Sequence, residues 1–494
     1  MLIKYGVTFK SETDSETIIN LISYFSKNST IIESVQKAID VMEGTYGVVI
    51  MDKNDMNSLY VLRKGSPILI GKTKDYLIVT SEINGFYNKV NNYMVVNDNS
   101  IIKITYENDN FSIIQCNTEE QDLNWKSIEK NILKLTPDPY AHWTHKEILE
   151  QPLSIMRTLN FGGRIPLTNK VKLGGLEHYK DKILNVKKLI ILGCGTSLNA
   201  AKIGKSYFQL LSKIENIHVF DGAEFTQEDL ANEKDTALLL LSQSGETLDL
   251  YRCFDYTKNA LVISIVNTVD SLIARESQCG IYLNAGREVG VASTKSFSCQ
   301  IIALVLMSIW ISQNKNKNLK LCENIIDTIR ALPMNIEEVF NNDSIIENVK
   351  IIAEYLKSHP SCFVIGKGIN QYIADEGALK LKEIGYIHAE GYSSSSLKHG
   401  PFGLLTPGFP VIVLTTNDNN YSKVENAINE LKSRNAKVFT IGDHSSSFIR
   451  VPENKYIGYL LNAIILQLVA YNLSLVKNIN PDFPRNLAKV VTVE

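Results

Sequence analysis

Apolar and polar positions change rhythm along this chain of 494 residues. Between about 30 and 43, Ile31, Ile32, Val35, Ala38, Ile39 and Met42 recur at helical spacing, which predicts an amphipathic helix. Short apolar runs follow, "YGVVIM", "SLYVLRK", "PILIGK" and "YLIVTSE", parted by turn residues. That is the pattern of antiparallel hairpins. Residues 117–141 are polar and end in two prolines, which suits a linker. From about 185, apolar strands alternate with long helical runs, which predicts βαβ units in a parallel sheet.

The βαβ pattern occurs twice. "LIILGCGTS" carries Gly193 and Gly195 just after a strand, and "CFVIGKGIN" carries Gly366 and Gly368 in the same places 173 residues on. At the same offset "LLLLSQSGET" matches "VIVLTTNDNN". Two doubly wound α/β repeats are expected, at 142–315 and 316–480, ahead of a tail at 481–494. A helical segment around 300–357 joins them, and its apolar core "IIALVLMSIWI" has only 11 residues, too short to span a bilayer. Residues 456–476 carry no charge and are long enough to span one. Asn462, Gln467 and Asn472 interrupt that stretch and Gly458 sits near its start. A helix buried inside an α/β protein is expected there, with a membrane segment as the alternative.

Composition narrows the class. Apolar residues make up 44% and charged residues 21%, an ordinary globular balance. The 51 basic residues nearly cancel the 53 acidic ones and no basic block stands out, so neither nucleic acid nor an anionic membrane is expected as partner. Seven scattered cysteines, none spaced as CxxC, point to a reducing, cytoplasmic compartment without disulfides or a metal site. No continuous apolar stretch follows Lys4, so a secretory signal is not expected.

Candidate chemistry collects at the turns. "LLSQSGETLDL" ends a buried strand and starts a helix across Ser242, Gln243, Ser244, Gly245, Glu246 and Thr247. In an open parallel sheet, ligands bind beyond the carboxyl ends of the strands. Helix N-termini there offer free N–H groups and a positive dipole end to an anion. Three hydroxyls with a glycine suit a phosphate monoester; a Ser/Thr helix cap accounts for one hydroxyl and is the alternative. "GCGTSLNAA" adds Cys194, Gly195, Thr196 and Ser197 after the preceding strand, and "EVGVASTKSF" adds Ser293, Thr294 and Lys295. The second repeat has Thr415, Thr416 and Asn417 in place of the serines, so phosphate binding is expected in the first repeat.

The second repeat offers other groups. In "IADEGALKLKEIGYIHAEGYSSSSLKHGP", Glu376, Lys380 and Glu383 fall at i, i+4 and i+7, on one helix face. A solvated face with a Glu–Lys pair, worth roughly a few tenths of a kcal/mol, accounts for that spacing. The segment also leaves the ligand edge of the sheet, with His388, Glu390 and His399 close behind. A carboxylate and an imidazole are what proton transfer beside a carbonyl requires, at ~10²–10⁴ in rate each. In the tail "DFPRNLAKVVTVE", Arg485 and Lys489 stand among Leu487, Ala488, Val490 and Val491. Those neighbours predict a packed tail, and a lysine in an apolar pocket can lose its proton and form a Schiff base with a sugar carbonyl. A solvated terminal lysine is the plainer alternative.

Taken in order, "HKEILEQP", "CGTS", "LSQSGET", "NAGREVGVASTKSF", "EGALKLKEIGYIHAEGY", "LKHGP" and "PRNLAKVVTVE" resemble the motifs of glutamine:fructose-6-phosphate amidotransferases. They run from about residue 140 to the last. The resemblance implies two flavodoxin-like SIS domains that make glucosamine 6-phosphate from fructose 6-phosphate without a cofactor. It implies that Ser242, Gln243, Ser244 and Thr247 hold the sugar phosphate, helped by the turn Cys194, Gly195, Thr196 and Ser197. Val291, Ser293 and Ala488 would line the sugar. Glu383 would move a proton between C1 and C2, with Lys380 and Glu376 beside it. His399 would assist ring opening from the neighbouring subunit, which implies a homodimer. Lys489 would be the Schiff-base lysine and Arg485 would hold the tail. Where the family has Gly-Glu before "LKHGP", this chain has Ser395 and Ser396, which removes a carboxylate from behind His399.

Residues 1–116 resemble the latter part of the family's Ntn-type α+β glutaminase domain, with Asp14 matching an aspartate that contacts glutamine. The family's cysteine nucleophile, its His-Thr-Arg-Trp-Ala-Thr-His segment and its Asn-Gly have no counterpart in these residues. All eight histidines lie at 142 or later, and Cys116 is the first cysteine. Glutamine hydrolysis is therefore expected to be lost in this truncated domain, with ammonia coming from solution or from a separate glutaminase chain. Deamination of amino-sugar phosphates is a second enzymatic reading. A non-catalytic sugar-phosphate sensor is the third, and it would need the phosphate turns but not Glu383, His399 or Lys489.

Overall fold

The apolar runs of the N-terminal region build two four-stranded antiparallel sheets. A computed structural model describes the chain except residues 1, 12, 43–45, 65–67, 82, 87–88, 98, 108–109, 118–122, 128–135, 231–234, 258–259 and 490–494. Helices α1 (Asp14–Phe25) and α2 (Ile31–Val41) precede the strands. A capping box at Thr30 and Glu33 starts α2. The strands are β1 (Tyr46–Asp52), β2 (Asp55–Lys64), β3 (Leu69–Lys72), β4 (Leu77–Thr80), β5 (Asn92–Val95), β6 (Ile101–Glu107), β7 (Asn110–Gln115) and β8 (Trp125–Ser127). They pair in the orders β1-β2-β6-β7 and β4-β3-β5-β8.

β2 is covered on both sides. Tyr60 and Leu62 pack with α1 and α2, and Val61 meets Ile70 and Met94 of the other sheet. A strand buried on both faces has no polar face to alternate with, which is why "SLYVLRK" reads as a nearly continuous apolar run. β8 lies within the stretch read as a linker, and Trp125 stands opposite Met94 in register. β1 and β7 are the outer strands of the first sheet, with Val49, Met51 and Ile114 exposed. The side chain of Asp14 lies outside the described residues.

Residues 136–491 form a second unit with two all-parallel five-stranded sheets. The first is ordered β10-β9-β11-β12-β13, from β9 (Lys188–Gly193), β10 (Asn216–Asp221), β11 (Thr236–Ser242), β12 (Leu261–Val266) and β13 (Cys279–Tyr282). The second is ordered β15-β14-β16-β17-β18, from β14 (Ser361–Gly366), β15 (His388–Ser393), β16 (Pro410–Thr415), β17 (Lys437–Gly442) and β18 (Ile449–Arg450). The orders are the same permutation, so the paired glycine turns mark a repeated fold. The order in which strands are added reverses between β9 and β11 and again between β14 and β16, where a doubly wound sheet opens its ligand crevice.

All seven residues of β11 are buried. Leu239 and Leu241 face a core that also holds Val364 and Ile412 of the second sheet, while Leu238 and Leu240 face an outer cluster. One apolar core thus joins both repeats. Its main helices are α3 (Thr196–Leu211), α4 (Lys295–Asn314), α5 (Ile369–Gly385) and α6 (Tyr459–Val476). Helices Leu319–Phe340 and Asp343–Lys357 connect the repeats. α3 and α4 cross closely at Gly204, where a Cβ would come within 2.7 Å of Leu304 Cδ1.

α4 and α6 are long and apolar enough to cross a membrane by length and composition, with mean hydropathy 1.5 and 1.7. Yet 94% and 83% of those segments are buried inside the protein. The polar residues that interrupt α6 find partners: Asn462 donates to Asn370, and Gln467 both accepts from Gln151 and donates to the Thr294 carbonyl. The 11-residue apolar core read for the joining segment understates α4, which has 20 residues. Ser308 and Ser312 are buried too, because each hydroxyl donates to a carbonyl of its own helix or the turn after it.

Candidate active site

β9 and β11 run side by side, and the two hydroxyl-rich turns follow their ends. Gly195 takes φ +53 and α3 starts at Thr196. After β11, Ser242 is buried and its Oγ accepts the Gly245 N–H at 2.9 Å and lies 3.0 Å from Thr247 Oγ1. Ser244 Oγ accepts the Glu246 N–H at 3.1 Å. Gly245 has φ +70, and a Cβ there would fall 2.0 Å from Ser271 Oγ, so only glycine closes this turn. Thr247 precedes the helix Leu248–Arg252 without a side-chain cap bond, so capping does not account for the hydroxyls. Ser242 frames the turn from beneath, and Gln243, Ser244 and Thr247 are half-buried around it. Cys194 has its thiol pushed up to about 12 by burial and the neighbouring Asp221 carboxylate, which makes it a poor nucleophile.

Glu376, Lys380 and Glu383 do not lie on a solvated face. Glu376 and Lys380 are each 1% exposed, because α5 turns them towards α3 of the first repeat. Lys380 Nζ lies 3.3 Å from Glu376 Oε1 and 2.5 Å from Glu383 Oε2, and it donates to Thr196 Oγ1 at 3.0 Å. The Thr196 hydroxyl donates to Glu376 Oε1 at 3.1 Å, and the Asn199 amide to Oε2 at 3.0 Å. Burial raises the Glu376 carboxyl, against the pull of Lys380. Burial opposes the Lys380 charge, but Glu376 and Glu383 outweigh it and drive its proton affinity up. Glu383 is 21% exposed. Of the three it alone keeps an open side, so it is the one able to reach a bound molecule.

The tail departs from the apolar pocket expected for Lys489. Leu487 is 48% exposed, Ala488 is exposed, and Lys489 Nζ lies 2.7 Å from Glu288 Oε2. Val490 and Val491 lie outside the described residues. Burial works against the Glu288 charge, yet Lys489 and the backbone N–H groups of Thr294 and Ser296 hold its carboxyl down at about 2. The tail is tied by Asp482, which accepts from the backbone N–H groups of Trp143 and Thr144 and from the Thr144 hydroxyl. Arg485 stacks its guanidinium 4.5 Å from the Tyr386 ring centre, and its backbone N–H donates to the Tyr386 hydroxyl at 2.6 Å. Val291 donates its N–H to the Asp482 carbonyl at 3.2 Å, so the half-buried Val291 and Ser293 share a loop with Glu288 and border the tail.

His399 stands apart. It is exposed at the end of the single turn Ser396–His399 and makes no hydrogen bond to another of the described residues. Ser395 accepts from Lys367 at 2.7 Å. In the second repeat the polar turn residues bond to one another, Thr415 with Ser447 and Thr416 with Asn370. Sequence reasoning passed over Glu288 and Glu147, although both lie in quoted motifs. Glu147 accepts from the N–H groups of Val289 and Gly290, and burial, with the Glu288 charge beside it, pushes its carboxyl up to about 8. Only the fold brings these two together, so no spacing rule could have found them. Among the described residues no group of His, Cys, Asp and Glu is arranged to hold a metal ion.

The SIS domain model matches residues 182–309 and 355–477. A probable glutamine–fructose-6-phosphate aminotransferase (isomerizing) of Acanthamoeba polyphaga mimivirus is 38% identical over 98% of this chain and 79% of its own length. The glutamine–fructose-6-phosphate aminotransferase (isomerizing) of Clostridium acetobutylicum is 35% identical over 99% of this chain and 81% of its own. Among solved structures, the C-terminal domain of the glucosamine-fructose-6-phosphate aminotransferase from Francisella tularensis superposes with a TM-score of 0.63. It is 28% identical and covers 71% of this chain and 100% of that domain. With two SIS domains and relatives alike over nearly its whole length, the chain belongs to the isomerizing glutamine–fructose-6-phosphate aminotransferases.

Proposed function

We propose that this chain is a transferase that aminates and isomerises fructose 6-phosphate to glucosamine 6-phosphate, in the formation of amino sugars. The observation that carries the reading is the bonded group of Thr196, Glu376, Lys380 and Glu383, in which the phosphate turn of one repeat is braced by the charged helix of the other. The phosphate sits on the turn Ser242–Thr247 and the turn after β9, with Thr196 committed to the brace. Lys489 condenses with the C2 carbonyl of the opened sugar and water leaves. Ammonia then displaces the lysine. Glu383 takes the proton from C1 and returns one to C2, leaving an aldose with nitrogen at C2.

His399 acts in the site of a second copy, which makes the protein a homodimer; its exposure, without a hydrogen bond to another of the described residues, supports this. Ammonia is supplied from outside residues 1–135, from solution or from a glutaminase. Cys116, the single cysteine of residues 1–135, has its thiol pushed up by burial, and that segment contains no histidine to serve as base. The setting is cytoplasmic. The test is direct: the purified protein given fructose 6-phosphate yields glucosamine 6-phosphate with ammonium and glucose 6-phosphate without it. Binding of the sugar phosphate with neither product formed makes the protein a sensor instead. Net release of ammonia from glucosamine 6-phosphate under all conditions makes it a deaminase.

A further inference from the structure

We infer that Glu288 is the counter-ion of the protonated Schiff base at Lys489, a fixed carboxylate that positions the lysine nitrogen before and after it condenses with the sugar ketone. The inference rests on the Schiff-base reading of Lys489 given above. Its starting point is an asymmetry within the ion pair. Glu288 Oε1 accepts the N–H of Thr294 at 2.9 Å and of Ser296 at 3.1 Å, and Oε2 accepts the Ser296 hydroxyl at 2.8 Å. Those three donors belong to the residue before α4 and to its first turn, and residues 295–312 of that helix are all buried. Glu288 is therefore satisfied and held in place whether or not Lys489 is present. Lys489, by contrast, has Glu288 as its one partner among the described residues and sits on a stretch of tail whose neighbours Leu487 and Ala488 are exposed. The anion is fixed and the lysine is the part that can move.

The reaction fits this arrangement. A lysine ammonium and a ketone give a protonated imine and water. Two of the three ammonium protons leave with the ketone oxygen as water, and the third remains on nitrogen. The C=O bond breaks, the C=N bond forms, and no net proton or electron is needed. The positive charge stays on the same nitrogen throughout, so one carboxylate at 2.7 Å matches both ends of the step. The charge of Glu288 is reserved for that nitrogen, because the nearby Lys295 pairs with Glu150 at 2.7 Å. Glu147, in the helix Trp143–Leu149 packed against the loop of Glu288, has its carboxyl pushed up to about 8, so at pH 7 it is mostly protonated and competes little as an anion. A charged imine is also the form that ammonia attacks, whereas a neutral imine is a poor electrophile.

The experiment traps the imine. Wild-type protein is incubated with fructose 6-phosphate and cyanoborohydride, which reduces protonated imines, and the adduct on Lys489 is measured by mass spectrometry. Loss of a counter-charge at contact distance weakens the protonated form by about tenfold or more. Glu288→Gln is therefore expected to cut the trapped adduct at least about tenfold, with fructose 6-phosphate binding retained, and Glu288→Asp is expected to restore most of it. Equal trapping in the wild type and Glu288→Gln overturns the assignment of Glu288. No adduct on Lys489 in the wild type itself sinks the Schiff-base reading, a result separate from the first. Should Glu288→Gln fail to bind the sugar, the crystal structure of the reduced wild-type adduct decides. Its nitrogen is expected within hydrogen-bond reach of Glu288, and a nitrogen swung out of reach overturns the inference.

Discussion

Replacing Lys380 with methionine takes the cation from between two carboxylates and keeps an unbranched side chain in its place. Glu376, 1% exposed, then loses the charge 3.3 Å away. An unpaired buried carboxylate takes up a proton before it pays the full penalty of burial. That escape caps the loss of stability at the cost of protonating an ordinary carboxyl. From its usual 4.5 to pH 7 is 7 − 4.5 = 2.5 units, or about 3.4 kcal/mol at 1.36 kcal/mol per unit. At pH 5 the gap is 0.5 unit, or about 0.7 kcal/mol. The folded variant holds a proton on Glu376 that the unfolded chain has released. Its deficit is thus absent well below pH 4.5 and grows as the pH rises towards the raised folded value. Unfolding roughly 350 residues at about 2.1 cal/mol/K each gives ~0.75 kcal/mol/K, so the melting temperature drops by up to about 5 °C at pH 7 and about 1 °C at pH 5. Calorimetry of the wild type and Lys380→Met from pH 5 to pH 8 measures this. A deficit that is constant across that range, or that widens on acidification, refutes the claim that Lys380 is there to keep Glu376 charged.

Glu383→Gln should lower isomerisation by ~10²–10⁴ while fructose 6-phosphate still binds, and a rate within threefold or so of wild type would remove Glu383 from proton transfer. Mixing the inactive variants His399→Ala and Glu383→Gln, with subunits allowed to exchange, should restore about a quarter of the wild-type sites; no recovery would mean that His399 does not act across subunits. Ser242→Ala strips the turn of the acceptor for the Gly245 N–H, costing about 1–1.5 kcal/mol. Calorimetric titration with fructose 6-phosphate should show Kd rising roughly tenfold, and an unchanged Kd would take Ser242 out of the phosphate turn. The Glu147 carboxyl, raised to about 8 from 4.5, contributes stability at low pH that fades as the pH climbs through 8. Melting temperatures of Glu147→Gln should therefore fall less than those of the wild type between pH 6 and pH 9, and parallel curves would show that the carboxyl is not held protonated.

The repeated parallel sheets were legible in the sequence because strands covered on both faces leave unbroken apolar runs, as in Leu238–Leu241, and because paired glycines punctuate both copies. The phosphate turn was legible for a similar reason, since Ser242 to Thr247 are contiguous. β8 escaped notice because three residues are too few to show a period, and its Trp125 finds its place only opposite Met94. The extent of α4 was obscured by serines that satisfy themselves against carbonyls and so look like an end to burial. The environment of Glu376 and Lys380 was ambiguous for a deeper reason. Helical spacing places residues on a face but does not say what the face meets, and here it meets Thr196 and Asn199, from the other repeat. Lys489 was singled out by resemblance, yet its surroundings were misjudged. Leu487 and Ala488 before it are exposed, and its partner Glu288 stands about two hundred residues earlier, where no local pattern connects them.

The crossing of α3 and α4 at Gly204 reaches further than a packing detail. Thr196 lies eight residues up one helix and Lys295 nine residues up the other, which at 1.5 Å per residue is about 12 Å and about 14 Å from the contact. The Gln300 amide also ties α4 to Ser197 at 2.9 Å, so the two helices act as the arms of a pair of tongs whose pivot is Gly204. One arm ends at the phosphate turn and the other at the foot of Glu288. A methyl group at the pivot would act as a wedge, opening the gap between the group that grips the sugar and the group that faces its carbonyl. The aperture of the site is thus set by a residue with no side chain. A mutational scan scored by turnover would rank Gly204 among the reacting groups, although it touches no substrate.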